Sequence, residues 1–184
     1  VIRNDNWYSL FRPGETLVTI DLEGVECTDE LLVKISRLRR IKRLVAEWTP
    51  RNRSALDKIV ENSGVEGITV LNATDLFFPL GVSFRKVRSF VFDGKSFTGH
   101  GIACLSSWNS VRYLDLSFTS VSDQTLEELG GLSQLETLVI DGTNVSDQGI
   151  RTIGNLNLSS LKVLSADCRG VSCDAAQFLI GLNL

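Results

Sequence analysis

Methionine is absent from this 184-residue sequence, even at position 1. The chain is therefore expected to be a fragment, a processed product or a chain whose start has been removed, with any leader out of view. Histidine is nearly absent too. His100 stands alone without an assigned partner, so a nucleophile–base–acid triad has no support and a solvated position near a helix start is expected. The four cysteines are too few and too scattered for a disulfide scaffold, and no CxxC spacing suggests zinc. Gly99-His100-Gly101 lacks the rest of a phosphate-cradling loop, so no nucleotide cofactor is called for. No apolar run approaches the roughly 18 residues of a membrane span. The formal net charge of −3 argues against a nucleic-acid partner.

A repeat fills the space these absences leave. The triplet apolar-x-x-apolar-x-apolar opens at Leu17, Ile41, Val65, Val87, Val111, Leu135 and Leu161, in steps of 24, 24, 22, 24, 24 and 26 residues. All 21 of its positions are apolar. A period of this length marks a solenoid, because one unit cannot bury its own apolar face and must stack on the next. Residues 17–184 are thus expected to form one stacked domain of seven units. Residues 1–16 lie outside the repeat. Trp7, Tyr8, Leu10 and Phe11 suit an N-terminal cap on the first unit, and a docking segment for another domain is the other reading. At the far end Phe178, Leu179, Ile180 and Leu182 have no polar capping unit after them. Self-association through that end is one expectation and continuation of the natural chain the other.

The unit reads most clearly at Val111–Gln134. Alternation at Leu114-Asp115-Leu116 is a short strand. Val121 points inward from a loop. Ser122 then stands as a helix N-cap, with Asp123 at the positive end of the helix dipole. Leu126, Leu129 and Leu132 form the buried stripe, and Gly130-Gly131 ends the helix. The cap slot recurs as Thr28, Asn52, Thr98, Ser122, Ser146 and Ser172, with Leu76 there in the 22-residue third unit. The stripe recurs as Leu32 with Ile35, Leu56 with Ile59, Ile102 with Leu105, Ile150 with Ile153, and Ala176 with Leu179. Cys27 and Cys104 are expected as small buried hydrophobes and Trp108 as core. Cys168 and Cys173 pair only if the protein is exported, and the sequons at Asn52, Asn72, Asn144 and Asn157 matter only then.

Val111–Leu132 and Leu135–Leu156, the latter reading LETLVIDGTNVSDQGIRTIGNL, resemble the leucine-rich repeat family in its Thr-x-Val-Ser-Asp variant, common in bacterial and particularly planctomycete proteins. The resemblance covers residues 17–184. It is strongest in units five and six and weakest in units two and three, where Arg51-Asn52-Arg53 and Phe77-Phe78-Pro79 replace the usual helix start. It implies a right-handed α/β horseshoe, with short parallel strands on the concave face and helices on the convex face. It also implies ligand binding by the concave face, usually without catalysis.

In this register the third, fifth, seventh and eighth slots of each unit face the concave side, and equal slots stack about 4.8 Å apart. The seventh slot holds Glu23, Glu47, Leu71, Asp93, Ser117, Asp141 and Asp167, and the fifth adds Asp21 and Asp115. Stacked carboxylates repel by roughly 1 kcal/mol per close pair in water. Two readings stand: the acids serve a basic partner, or they hydrogen-bond the turn that leaves each strand. Tyr113 in a third slot, with Trp48 and Phe118 in eighth slots, are either exposed anchors or loop packing. Arg37, Arg39, Arg40, Lys42, Arg43, Arg51 and Arg53 form the one basic cluster, on the least regular units. The function expected is non-enzymatic protein recognition through the concave face, with the partner basic if the acids make the contact. The recognition arm of a larger enzyme or signalling protein and a structural assembly protein are the other classes.

Overall fold

The computed structural model describes residues 18–38, 41–78, 84–108, 110–156, 158–180 and 182, without the side chains of Val18 and Trp108. The N-terminal segment 1–16, Leu17, Arg39, Arg40, Asn157 and the expectation for Trp108 lie outside this description.

Seven strands form one sheet in chain order. They are β1 (Val18–Asp21), β2 (Ile41–Glu47), β3 (Gly67–Leu71), β4 (Ser89–Asp93), β5 (Tyr113–Asp115), β6 (Thr137–Val139) and β7 (Val163–Ser165). Every neighbouring pair is parallel, and equal positions of the repeat lie side by side: Ile20, Leu44, Ile68, Phe90, Leu114, Leu138 and Leu164 form one row. That row is the fourth slot of the triplet, and its central members are fully buried. Side chains alternate across a strand, so the third and fifth slots fall on the sheet's other, open face.

The return segments stack in a second row beside the core: α1 (Asp29–Ser36), α2 (Arg53–Ser63), α3 (Asp123–Glu127) and α4 (Asp147–Asn155). Thr28 caps α1 by accepting the Leu31 N–H at 3.3 Å, and Ser146 caps α4 by accepting that of Gln148. Gly64 closes α2 at a φ of +73°, a left-handed conformation that glycine adopts without strain. Units three, four and seven carry 3₁₀ segments instead, at Asp75–Phe77, Ile102–Trp108 and Cys173–Leu179.

These tighter turns shift several expected positions. In unit three the cap is Thr74 rather than Leu76, because the unit is two residues short, and Leu76 is exposed. In unit seven Ala175 is buried instead of Ala176. Thr98 caps no helix. Its N–H and hydroxyl both donate to the Asp75 carboxylate of the preceding unit. Asn52 does not cap α2 with its side chain: its amide oxygen accepts from the Thr49 N–H and its amide nitrogen donates to the Glu47 carbonyl. Cys104 is exposed rather than buried, since the 3₁₀ helix turns it away from Ile102 and Leu105. Cys168 is buried on the Ile140 carbonyl and the Thr143 hydroxyl while Cys173 is exposed, so the two thiols stay free.

Where unit three lacks a full helix, aromatic rings fill the core. Phe77, Phe78, Phe84, Phe90, Phe92 and Phe97 form one cluster, with Phe92 and Phe97 stacked at 4.5 Å between centroids. Aromatic pairs of this kind add to what their buried area contributes.

Candidate functional site

The strands leave the sheet through their seventh slots, where Glu47, Leu71 and Asp93 stand in register on β2, β3 and β4. Beyond β1, Gly24 takes a φ of +70° and turns the chain outward. A hollow of about 360 Å³ lies at this strand-end edge. Glu23, Glu26, Glu47 and Asp93 line it together with one cation, Arg51. Leu22, Cys27, Leu71 and Asn72 are among the other residues of the wall. Four carboxylates against one guanidinium give the hollow a negative potential, and a concave wall focuses it.

Not every acid of the expected column stands ready for a partner. Asp21 accepts the Glu23 N–H at 2.9 Å, and Asp115 accepts the Ser117 N–H at the same distance. Each therefore fixes the turn that follows its own strand. Asp141 accepts the Ser165 hydroxyl and, at 2.7 Å, the Asp167 N–H, which ties unit six to unit seven. Asp167 is exposed beside it. Glu47 is exposed and receives one long bond, 3.3 Å, from the Asn72 amide. The structure thus gathers Glu23, Glu47 and Asp93 at one hollow and leaves Asp115, Asp141 and Asp167 further along the sheet.

Two of the three aromatics are not surface anchors. Trp48 is 8 % exposed: its indole N–H donates to Asp57 at 3.1 Å and its ring meets Phe77 edge-on at 5.5 Å. Tyr113 is 4 % exposed, on a central strand between Ser89 and Thr137. Phe118 does face solvent, at 67 % exposure and a φ of +59°. Its ring covers Gly142, where an added Cβ would lie 2.5 Å from the ring.

The basic cluster divides in the same way. Arg43 is 8 % exposed, crosses Gly67 on the open face and donates to the Thr69 hydroxyl at 2.9 Å. Arg53 reaches into the next unit and donates to the carbonyls of Leu76 and Phe77, each at 2.8 Å. Burial lowers the Arg53 pKa from its ordinary value, with Asp57 opposing. Burial also raises that of Asp57, against the Trp48 bond and the Arg53 charge. Arg37 and Arg51 are exposed. In the second slot Lys42 pairs with Glu66, while Arg112 and Lys162 share Glu136 and hold its carboxyl below the usual range.

Sequence reasoning missed one set of working residues. From sequence Asp123 and Asp147 read only as acids following a helix cap, and Asp75 carries no role. Each carboxylate instead bridges to the next unit, accepting the backbone N–H and hydroxyl of Thr98, Ser146 or Ser172 at 2.6–2.9 Å. The signal was present in the recurring dipeptides Thr74-Asp75, Ser122-Asp123 and Ser146-Asp147.

Among the described residues no group of three acidic, cysteine or histidine side chains is placed to hold a metal ion. His100 is exposed. No helix of the described residues is long and apolar enough to cross a membrane.

Neither a family model nor a curated protein sequence matches this chain. Solved structures do. An internalin from Listeria monocytogenes superposes with a TM-score of 0.50 over 80 % of this chain at 14 % identity. A leucine-rich repeat protein from Leptospira interrogans superposes with a TM-score of 0.51 over 91 % at 10 % identity. The fold is a leucine-rich repeat solenoid. The chain spans 48 % of the internalin and 40 % of the Leptospira protein.

Proposed function

We propose that this chain is a non-catalytic protein-recognition module, and that it takes a basic segment of a protein partner at the strand-end edge of its sheet. The observation that carries the reading is the hollow lined by Glu23, Glu26, Glu47 and Asp93, four carboxylates around a single arginine in a chain of small net charge. Like charges so gathered repel one another, and a cationic segment converts that repulsion into attraction. The apolar floor from Leu22 and Leu71 gives such a segment a surface for its stem carbons. Asp141, Asp167 and the exposed Phe118 extend the same edge across units five to seven, where a longer partner would reach them.

The partner's lysines or arginines would be steered by the acidic edge and held by close pairing within the hollow. Rim charges act mainly on the association rate. Stopped-flow binding of a fluorescent lysine-rich peptide tests this. Glu23→Lys with Glu47→Lys should slow association and flatten its salt dependence, whereas Glu127→Lys on the exposed side of α3 should not. Unchanged association in the double variant would remove the strand-end edge from consideration.

A further inference from the structure

At the opposite ends of the strands the charge reverses. A second hollow, about 390 Å³ in volume, opens where units three, four and five enter the sheet. Arg85, Lys86, Arg88 and Arg112 line it with Ser110 and a single carboxylate, Glu66. That carboxylate is already held by Lys42 from the neighbouring unit. The second slot of the repeat runs along this edge, and its charges pair off almost completely. Lys42 has Glu66, and Arg112 and Lys162 have Glu136. Among the described residues Arg88 is the one cation of the row without a carboxylate partner, and it sits one strand from Arg112 in an exposed position. Arg112 on the adjacent strand keeps Glu136, so the excess positive charge of the hollow centres on Arg88 and the exposed Lys86 beside it.

We propose that this strand-start hollow binds an acidic peptide segment, whose carboxylates take the place of the missing partner of Arg88 and extend along Lys86 and Arg112. The arrangement suits a peptide better than a single small anion for a geometric reason. The backbone N–H groups of Arg88 and Arg112 are committed to the carbonyls of Glu66 and Arg88, at 2.7 and 2.8 Å, so they build no cradle around one point. The cations come instead from side chains spread along the edge over successive units, a spacing that addresses successive carboxylates. Arginine adds planar, two-pronged recognition of each carboxylate. This surface lies at the other end of the strands from the acidic hollow, so the two readings stand or fall separately.

Fluorescence anisotropy of a labelled hexaglutamate peptide, at low and at physiological ionic strength, tests the proposal. Lys86→Gln combined with Arg88→Gln should weaken binding roughly tenfold, two exposed pairs being lost. Both side chains are exposed, so the unfolding midpoint should hold. Lys58→Gln removes the same kind of charge from the exposed side of α2, outside the hollow's lining, and should change affinity by less than roughly twofold. Arg88→Lys should retain part of the affinity. Undiminished binding in the double variant, or an equal loss in Lys58→Gln, would overturn the proposal. Displacement of the peptide by an equimolar amount of inorganic phosphate would overturn it as well, by showing a small-anion site.

Discussion

In units six and seven a serine and an aspartate from the preceding unit join each step of the solenoid, whereas unit three is fastened to unit two by an arginine and filled by phenylalanine rings. Asp123 and Asp147 each take two bonds from the serine of the next unit. Arg53 instead crosses from α2 to the carbonyls of Leu76 and Phe77, over a unit whose helix is one 3₁₀ turn. The strands differ too: β2 to β4 have five to seven residues and β5 to β7 have three. The regular units commit their aspartates to the repeat, as Asp115, Asp123, Asp141 and Asp147 show. In the irregular region Asp75 makes the same bridge, to Thr98, and the two charged hollows lie on units one to five. Aspartate bridges fasten regular and irregular steps alike, and the difference lies in what fills the core behind them.

The sharpest way to break this contrast is to open the aromatic cluster. Phe92 is buried against Phe77, Phe78, Phe90 and Phe97. Phe92→Ala should cost about 3–5 kcal/mol in denaturant unfolding, more than any polar change in the regular units. Arg53→Gln comes next. It removes two charge-assisted bonds to carbonyls and should cost about 1.5–3 kcal/mol, with hydrogen-exchange protection lost first across units two and three. Asp123→Asn keeps one acceptor and loses the charge, so about 0.5–1.5 kcal/mol is expected, with the loss centred on Ser146–Asn155. Glu136→Gln frees Arg112 and Lys162 at a partly exposed site and should cost under about 1 kcal/mol. A greater loss from Glu136→Gln than from Arg53→Gln would invert the comparison.

Acid should separate the two regions by sign. Bonds from Ser172 lower the Asp147 pKa, and Lys162 and Arg112 lower that of Glu136. Both groups contribute stability above their unfolded values of 3.8 and 4.5, and lose it as pH falls through the lower folded values. Asp57 has a raised pKa from burial, so its ionised form opposes folding and protonation relieves that opposition. Below about pH 4 units six and seven should lose hydrogen-exchange protection before unit two does. Loss in the reverse order would show that these carboxylates do not govern the acid response.

The architecture was legible because 21 apolar positions repeat at one spacing, and the strand register follows that spacing without exception from β2 to β7. Side chains whose fate depends on another unit were not legible. The slot of Trp48 leaves exposed anchor and loop packing both open, and Asp57 and Phe77 decide it by receiving the ring from α2 and unit three. Arg53 reads as one member of a basic run, because its acceptors are backbone carbonyls that carry no sequence signal. Thr74 was displaced from the cap slot by the two-residue shortening that also removed the helix. At the candidate site the acidic composition was readable from the seventh slot. Which acids remain for a partner was not, since that depends on bonds such as those of Asp21 and Asp141.

Amide chemical-shift mapping of the ¹⁵N-labelled chain during titration with hexalysine tests the central claim most directly. The account predicts perturbations concentrated at Glu23–Cys27, Glu47, Arg51, Asn72 and Asp93, the walls of the strand-end hollow on units one to four. Perturbations confined to Asp141, Asp167 and the regular units, or spread over the outer faces of α1 to α4, would contradict it.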